Sequence, residues 1–169
     1  MGSIKEAERS DYIKFTADHN VGKLARWLRM MGYDTIFFQG TDDSQMVVGA
    51  LSEDRIVLTR YTQIIKRRVA TSGRLKVILL QSDLPELQIR QVLSTLPIDA
   101  PPQPFSRCLE CNQLLEEKSK NQVENRVPPY VFKTQRQYME CPACHRLYWR
   151  GTHWEAMIRK LNRLAGKQL

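Results

Sequence analysis

Apolar residues in the first hundred positions follow two alternating patterns. Short runs rich in β-branched and aromatic residues, typical of buried strands, occur at 13–17, 33–38, 56–59 and 75–80. Between and after these runs, apolar residues recur every three or four positions, as in amphipathic helices, at 24–31, 43–51, 62–70 and 85–96. The alternation predicts an α/β fold with a parallel sheet built from four strand-helix units.

Residues at the ends of the predicted helices support this assignment. Asn20 is a candidate N-cap for the first helix, and Gly32 is its candidate C-terminal stop. For the fourth helix, Asp83 fits an N-cap, Pro85 a first-turn proline and Glu86 a capping-box partner. We therefore expect helices that begin and end at these positions.

A proline-rich segment divides the chain. Pro97–Pro104 has four prolines in eight residues, so it cannot continue a helix or a central strand, and we interpret it as a linker. We expect a tail at 1–12, an α/β domain at 13–100 and a second module at 101–169. The tail lacks the apolar core of a signal peptide, and the longest apolar runs are too short to span a membrane. These features predict a cytoplasmic protein without a membrane segment.

Two Cys-x-x-Cys pairs dominate the second module. They are Cys108 with Cys111 and Cys141 with Cys144, separated by 29 residues. Each pair can present two thiolates to one tetrahedral ion, and four thiolates leave no open position, which predicts a structural zinc in a zinc ribbon. Buried free thiols or two redox pairs are the alternative, and His145 could replace one cysteine as a ligand.

The chain is basic, with 26 Lys and Arg against 18 Asp and Glu, a formal net charge of +8 and a pI near 9.5. Residues 101–169 hold 12 basic and only 6 acidic residues. This excess favours an anionic partner, above all nucleic acid. Six cationic residues are candidate contacts to RNA phosphates: Lys23, Arg26, Arg60, Arg107, Arg146 and Arg150.

Half of the fourteen aromatic residues also lie in the second module. Aromatic rings among arginines can stack on unpaired bases while the arginines hold phosphates, but the rings of a small zinc module can equally form its core. A capping box at Thr152–Glu155 predicts a final helix. We expect its apolar stripe to dock on the rest of the protein, and its basic face to be either solvated or part of an RNA surface.

Acidic residues follow three of the four predicted strands. Asp18 follows the first strand, Asp43 lies after the second, and Asp83 follows the fourth. Because ligands bind beyond the carboxyl ends of parallel strands, the three could converge on Mg²⁺ or Mn²⁺, which activate water for phosphoryl transfer. The alternative is that each aspartate only caps a helix. Tyr61 follows the third strand and supplies no carboxylate.

Several segments together resemble a known family, the RNase-type domain first noted at the C-terminus of the mutator-seven exonuclease. They occur in the family's order and cover nearly all of residues 14–155: 15–18, 22–29, 31–34, 57–60, 106–112 and 148–154. The resemblance implies a PIN-like α/β domain, with a three-layer parallel sheet, joined to a C-terminal zinc ribbon. It also implies metal-dependent RNA cleavage by acidic residues at the strand ends.

The resemblance assigns roles to the aspartates. Asp18 matches the family's first acid, Asp43 its second and Asp83 a fourth, which implies that these are catalytic residues holding Mg²⁺ or Mn²⁺. Tyr61 stands where the family's Thr-Arg-Asp segment places a third acid. The change removes charge that would hold an ion.

Three hypotheses about function remain at this stage. The first is an RNA-binding protein that hydrolyses phosphodiesters as a metal-dependent ribonuclease. The second is a non-catalytic RNA-binding or ribonucleoprotein-associated module that keeps a vestigial nuclease pocket. The third is a protein-interaction module with an exposed apolar face and no salt-dependent RNA affinity.

Overall fold

The computed structural model of the protein describes residues 13–96 and 103–165. Its first sheet contains four parallel strands in the order β2-β1-β3-β4. These strands are β1 (Lys14–Ala17), β2 (Asp34–Phe37), β3 (Arg55–Thr59) and β4 (Val77–Leu79). In the register, Thr16 of β1 lies beside Ile36 of β2 and Val57 of β3. The predicted α/β fold with a parallel sheet is confirmed.

Helices cover both faces of this sheet because successive strand residues point to opposite sides. The helices are α1 (Gly22–Met30), α2 (Asp43–Ser52), α3 (Thr62–Ile65), α4 (Arg68–Thr71) and α5 (Pro85–Thr95). Phe15 and Leu58 pack on one face in a core shared with α1 and α5. Val57 packs on the other face with α2 and α3. The result is the expected three-layer arrangement.

Two predicted helix caps are wrong. A 3-10 turn (His19–Val21) precedes α1, and Asp18 caps that turn, so Asn20 lies inside it and is not the N-cap. At α5 the N-cap is Leu84, one residue after Asp83, and Pro85 is the first helical residue. The side-chain hydrogen bond before α5 comes from Ser82 instead, whose Oγ accepts the Leu84 amide at 3.1 Å.

The single helix predicted over 62–70 is two short helices, α3 and α4, separated by an extended Arg67. The break has a packing reason. Ile64 and Val69 are five positions apart and would lie on different sides of a regular helix. With the helix interrupted, both reach the same core beneath the sheet.

The second sheet is antiparallel, with strands β5 (Glu116–Lys118), β6 (Tyr138–Glu140) and β7 (Leu147–Trp149) in that order. A 3-10 turn (Lys120–Val123) and helix α6 (Pro129–Thr134) lie between β5 and β6. They close a small core of their own around the buried ring of Tyr138.

The final helix, α7 (Thr152–Ala165), joins the two parts. Leu161 is fully buried in the core beneath α1 and α5, and Met157 and Ile158 pack against that core. The expected docking of the apolar stripe is confirmed. Beside this stripe, Lys160 forms an ion pair with Glu86 of α5, and its Nζ lies 5.4 Å from the ring centre of Trp27 in α1.

Two sequence predictions fall outside the described residues. They are the tail at 1–12 and most of the proline-rich linker, residues 97–102, so the domain limits stay predictions. Among the helices of the described ranges, none combines the length and apolar character that a membrane crossing requires.

Candidate functional site

The carboxyl ends of β1 and β3 form a topological switch point. The chain leaves β1 towards β2 on one side and leaves β3 towards β4 on the other, so the loops after β1 and β3 diverge. A crevice between diverging loops is where open α/β sheets bind ligands. Asp18 follows β1, Thr59 ends β3, and Arg60 and Tyr61 come next.

Asp18 is held at this point by several donors. Its carboxyl is 1% exposed and accepts hydrogen bonds from the Thr59 hydroxyl at 2.6 Å and from the His19 amide at 2.7 Å. The Asn20 side-chain amide donates at 3.0 Å to Asp18 Oδ2, the oxygen that also accepts the Thr59 hydroxyl. The Thr59 oxygen in turn accepts the Tyr61 amide at 3.0 Å. This chain of bonds fixes the carboxylate and ties it to Tyr61.

The other two predicted acids are placed differently. Asp43 is half-buried in the first turn of α2, and Asp42 rather than Asp43 caps that helix by accepting the Ser44 amide at 2.8 Å. Asp83 is exposed in the turn before α5. Within residues 13–96 and 103–165, the only cluster of three or more potential metal-ligating side chains is the group of four cysteines. A preformed three-carboxylate site for Mg²⁺ or Mn²⁺ therefore does not fit these residues, and the catalytic roles of the aspartates stay predictions.

Two of the predicted RNA-contacting cations lie beside the switch point. Lys23 is exposed in the first turn of α1, and Arg60 is exposed after β3, with its amide 3.4 Å from the Asn20 side-chain oxygen. Neither makes an ion pair within the described ranges. Tyr61 follows Arg60 directly in the sequence and keeps 47% of its surface exposed.

The remaining candidate cations lie around the first cysteine pair and the final helix. Arg26 and Arg146 share the carboxylate of Glu110, at 2.6 Å and 3.0 Å. Arg107 donates to the carbonyl oxygens of Gly32 and Asn112 at 3.1 Å and 3.0 Å. Arg150 lies over the ring of Trp154, 5.1 Å from its centre. The structure therefore divides the six cations between two regions.

The four cysteines meet in the second part of the protein. The Sγ atoms of Cys108, Cys111, Cys141 and Cys144 all lie within 4.8 Å of one another. Those of Cys108 and Cys144 are 3.7 Å apart, close to the roughly 3.8 Å expected between two ligands of a tetrahedral zinc with Zn–S near ~2.3 Å. The cluster could therefore hold a metal such as zinc, and no disulfide links these residues.

The two Cys-x-x-Cys segments, hereafter the first and second knuckles, share one backbone geometry. In the first knuckle, the Cys111 amide points to the Cys108 sulfur at 3.4 Å, and Asn112 follows with φ 65°. In the second, the Cys144 amide points to the Cys141 sulfur at 3.5 Å, and His145 follows with φ 58°. Amides that point at sulfur stabilise thiolates, so both turns suit a metal ligand pair. His145 occupies the turn position, which argues against its use as a replacement ligand.

Without a cation, the close packing of the four sulfur atoms contributes to shifted pKa values at Cys108 and Cys111. Burial opposes ionisation of Cys108, but hydrogen bonds from the Tyr148 hydroxyl and from backbone amides lower its pKa to about 7. The hydrogen bond with Cys144, together with burial and the Cys108 charge, raises the pKa of Cys111 to about 12. A divalent cation removes this conflict because it favours all four thiolates.

Hydrogen bonds connect the first knuckle and the following Asn112 to helix α1 and to the amino end of β2. The nearly buried guanidinium of Arg29 donates to the carbonyl oxygens of Thr35, Leu109 and Glu110 at 2.8–2.9 Å. The Asn112 side chain accepts the Thr35 amide at 2.9 Å and donates to Asp34 at 2.7 Å. Sequence reasoning missed Arg29, Asp34 and Asn112. Only Asn112 carried a local signal, since asparagine tolerates the left-handed backbone better than most residues.

Asp34 is an ion-pair centre of this junction. Arg55 lies 2.7 Å from its carboxylate, and Arg107 lies 3.9 Å away. Burial alone would raise the pKa of Asp34, but the bonds from Arg55 and Asn112 hold this pKa below its usual value. The junction lies at the amino ends of β2 and β3, opposite the switch point.

Comparison with known proteins gives one match. The model of a family described as the Mut7-C RNAse domain matches residues 13–161. No curated protein and no solved structure matches the chain.

Proposed function

Because the chain belongs to the Mut7-C RNAse domain family, we propose that it binds RNA at the carboxyl edge of its parallel sheet. The proposal rests on the hydrogen-bonded arrangement of the two loops at this edge. A buried Asp18 orders the loops after β1 and β3, and Arg60 and the half-exposed ring of Tyr61 face solvent there, together with Lys23 in the first turn of α1. Cations beside an exposed ring suit a phosphate and its base.

We favour binding without cleavage as the function of this edge. Tyr61 stands where the resembled family has an acid, and the described aspartates gather no three-carboxylate group. Asp18 has its oxygens occupied by donors from its own protein, which is the behaviour of a carboxylate that orders a loop. On this proposal the RNA strand contacts the edge, and no phosphodiester is broken.

Hydrolysis is the second candidate, favoured by the position of Asp18 at the switch point. Mg²⁺ is commonly held by one or two carboxylates together with substrate phosphates, so a bound strand could complete a site around Asp18 and Asp43. Such an ion would supply an activated water and charge neutralisation. The protein's own residues would orient the strand, with Lys23 and Arg60 on phosphates.

One assay separates the two candidates. Zinc-loaded protein is incubated with cellular RNA in Mg²⁺ or Mn²⁺, alongside the variants Asp18→Asn and Tyr61→Asp, and both binding and cleavage are measured. We expect the parent to bind without cutting and Tyr61→Asp to gain cleavage. Cleavage by the parent that disappears in Asp18→Asn would establish the ribonuclease instead, and absence of RNA binding would remove both candidates.

We propose further that the cysteine cluster holds a structural zinc. Four sulfur ligands complete a tetrahedral shell, so the ion would have no position for substrate. Its role would be to close the two knuckles and to keep the first knuckle docked on Arg29 and, through Asn112, on Asp34. Metal analysis of the purified chain should give one zinc per molecule, and Cys144→Ser should lower that ratio.

A further inference from the structure

Two neighbouring cavities share a wall of four aromatic rings. The rings of this aromatic wall are Phe105, Tyr148, Trp149 and Trp154. The cavities measure about 360 Å³ and about 280 Å³. Residues of the second part of the protein line both cavities, and Arg26 of α1 also lines the smaller one. A cavity of this size with aromatic walls and a few polar groups is typical of a small-ligand site.

The aromatic wall is held in place by bonds outside the cavities. The Tyr148 hydroxyl lies 3.1 Å from the Cys108 sulfur and accepts the Leu109 amide at 3.2 Å, so the first knuckle fixes this ring. Phe105 lies 4.7 Å from Trp154 between ring centres, and its amide donates to the Met30 carbonyl. Rings fixed in this way lose little conformational entropy when a ligand stacks on them.

Polar and charged groups at the wall indicate what the ligand carries. The exposed Arg150 guanidinium lies 5.1 Å from the Trp154 ring centre and lines the larger cavity. A ligand with a flat ring and an adjacent negative charge would match the aromatic wall and Arg150.

Gly151 keeps the smaller cavity open. A Cβ atom at this position would lie 3.3 Å from the Trp149 Nε1, tighter than an ordinary contact. Any larger side chain would therefore press on the Trp149 ring that both cavities share. The absence of a side chain at Gly151 avoids this contact beside the smaller cavity.

We propose that the aromatic wall binds an unpaired nucleobase of single-stranded RNA, with Arg150 on the adjoining phosphate. Stacking on aromatic rings requires a base that is free of a duplex, whereas the phosphate contact alone does not. The inference rests on the proposed RNA binding and specifies its substrate class as single-stranded. It also adds a second contact region, formed by residues other than Lys23 and Arg60.

The test compares three probes with zinc-loaded, full-length protein. They are a short single-stranded oligoribonucleotide, the same strand in a duplex, and the same strand with abasic positions that keep the phosphates. We expect the single strand to bind at least about fivefold more tightly than either of the other probes, since stacking of one base contributes about that factor or more. Equal binding of the abasic strand or the duplex would overturn the inference.

Variants locate the effect. Trp154→Ala and Arg150→Gln should each weaken binding of the single strand, and Arg150→Gln serves if Trp154→Ala does not fold. Tyr130→Ala is the matched control, because Tyr130 is 76% exposed and lies outside both cavities. If only Lys23→Ala and Arg60→Ala weaken binding, the aromatic site is wrong and the sheet-edge proposal stands. If only Trp154→Ala and Arg150→Gln weaken binding, the sheet-edge proposal is wrong and the aromatic site stands. If the parent binds no RNA, both proposals are wrong.

Discussion

Thr59 shows how one hydroxyl can order the candidate site. It donates to the buried Asp18 carboxylate at 2.6 Å and accepts the Tyr61 amide, so it connects the loops after β1 and β3. A hydrogen bond to a charged group contributes more than one between neutral groups. The position of Tyr61 therefore depends on a fully buried residue.

Replacing Thr59 with valine should destabilise the protein by about 2 kcal/mol, because the buried carboxylate loses a charged hydrogen bond while the side-chain shape is kept. Thr62→Val is the matched control, since Thr62 is exposed at the start of α3, and its change should stay within about 0.5 kcal/mol. Urea unfolding of both variants measures the difference. Equal effects would mean that the Asp18 contact carries no stability.

Asn112 combines a backbone role with a side-chain role. Its φ is 65°, and its amide group bridges the Thr35 amide and the Asp34 carboxylate. Asn112→Gly should lose the bridge alone, whereas Asn112→Ala should lose the bridge and also pay about 1 kcal/mol for the left-handed backbone. Thermal or urea unfolding should therefore rank the parent above glycine and glycine above alanine.

His145 provides the control for this ranking, because it holds the same turn position in the second knuckle with a side chain that is 72% exposed. His145→Gly should change stability much less than Asn112→Gly. A similar loss at both positions would show that the knuckle backbone, and not the Asn112 bridge, determines the cost.

The sequence predicts the role of a residue where the chemistry of its own side chain determines what it binds. The four cysteines were identified by their spacing, and the structure brings their sulfur atoms within 4.8 Å. The caps at Asn20 and Asp83 were mispredicted because a cap depends on where the backbone begins to coil, and neighbouring Asp18 and Ser82 make the local side-chain contacts to backbone amides instead. Arg29 could not be assigned from its helical position, because its three carbonyl partners include two from residues about 80 positions away.

At the scale of elements, the first knuckle connects the metal cluster to the parallel sheet. Its carbonyl groups satisfy the buried Arg29 of α1, and Asn112 binds the start of β2. A buried guanidinium without acceptors is costly, so α1 and β2 depend on a correctly folded knuckle. Strands and helices of the sheet were predictable from local patterns, whereas this long-range dependence was not.

Metal removal should therefore affect more than the cysteine-containing segment. We expect a strong chelator to lower the unfolding temperature and to increase amide hydrogen exchange in α1 and β2 as well as around Cys108 and Cys141. Hydrogen-exchange mass spectrometry with and without chelator resolves these segments. Faster exchange confined to residues 106–149 would show that the parallel sheet is independent of the metal.

At the scale of the whole molecule, the cationic residues serve two different purposes. Arg26 and Arg146 neutralise Glu110 next to the first knuckle, whereas Lys23 and Arg60 face solvent at the opposite edge of the sheet. Composition predicted an anionic partner but could not separate the two groups, because both have the same charge and only the fold brings Glu110 to one of them.

Salt dependence of RNA binding distinguishes cations that face solvent from cations that already form ion pairs. Each phosphate contact releases counterions, so the double variant Lys23→Ala/Arg60→Ala should reduce the slope of log affinity against log salt by between one and two. The double variant Lys118→Ala/Arg126→Ala lowers the net charge by the same amount but removes residues that already form ion pairs with Glu140 and line neither cavity. Its slope should stay close to that of the parent. Equal slopes for the two double variants would mean that RNA responds to the overall charge of the protein, and that the sheet edge is not a defined phosphate-binding site.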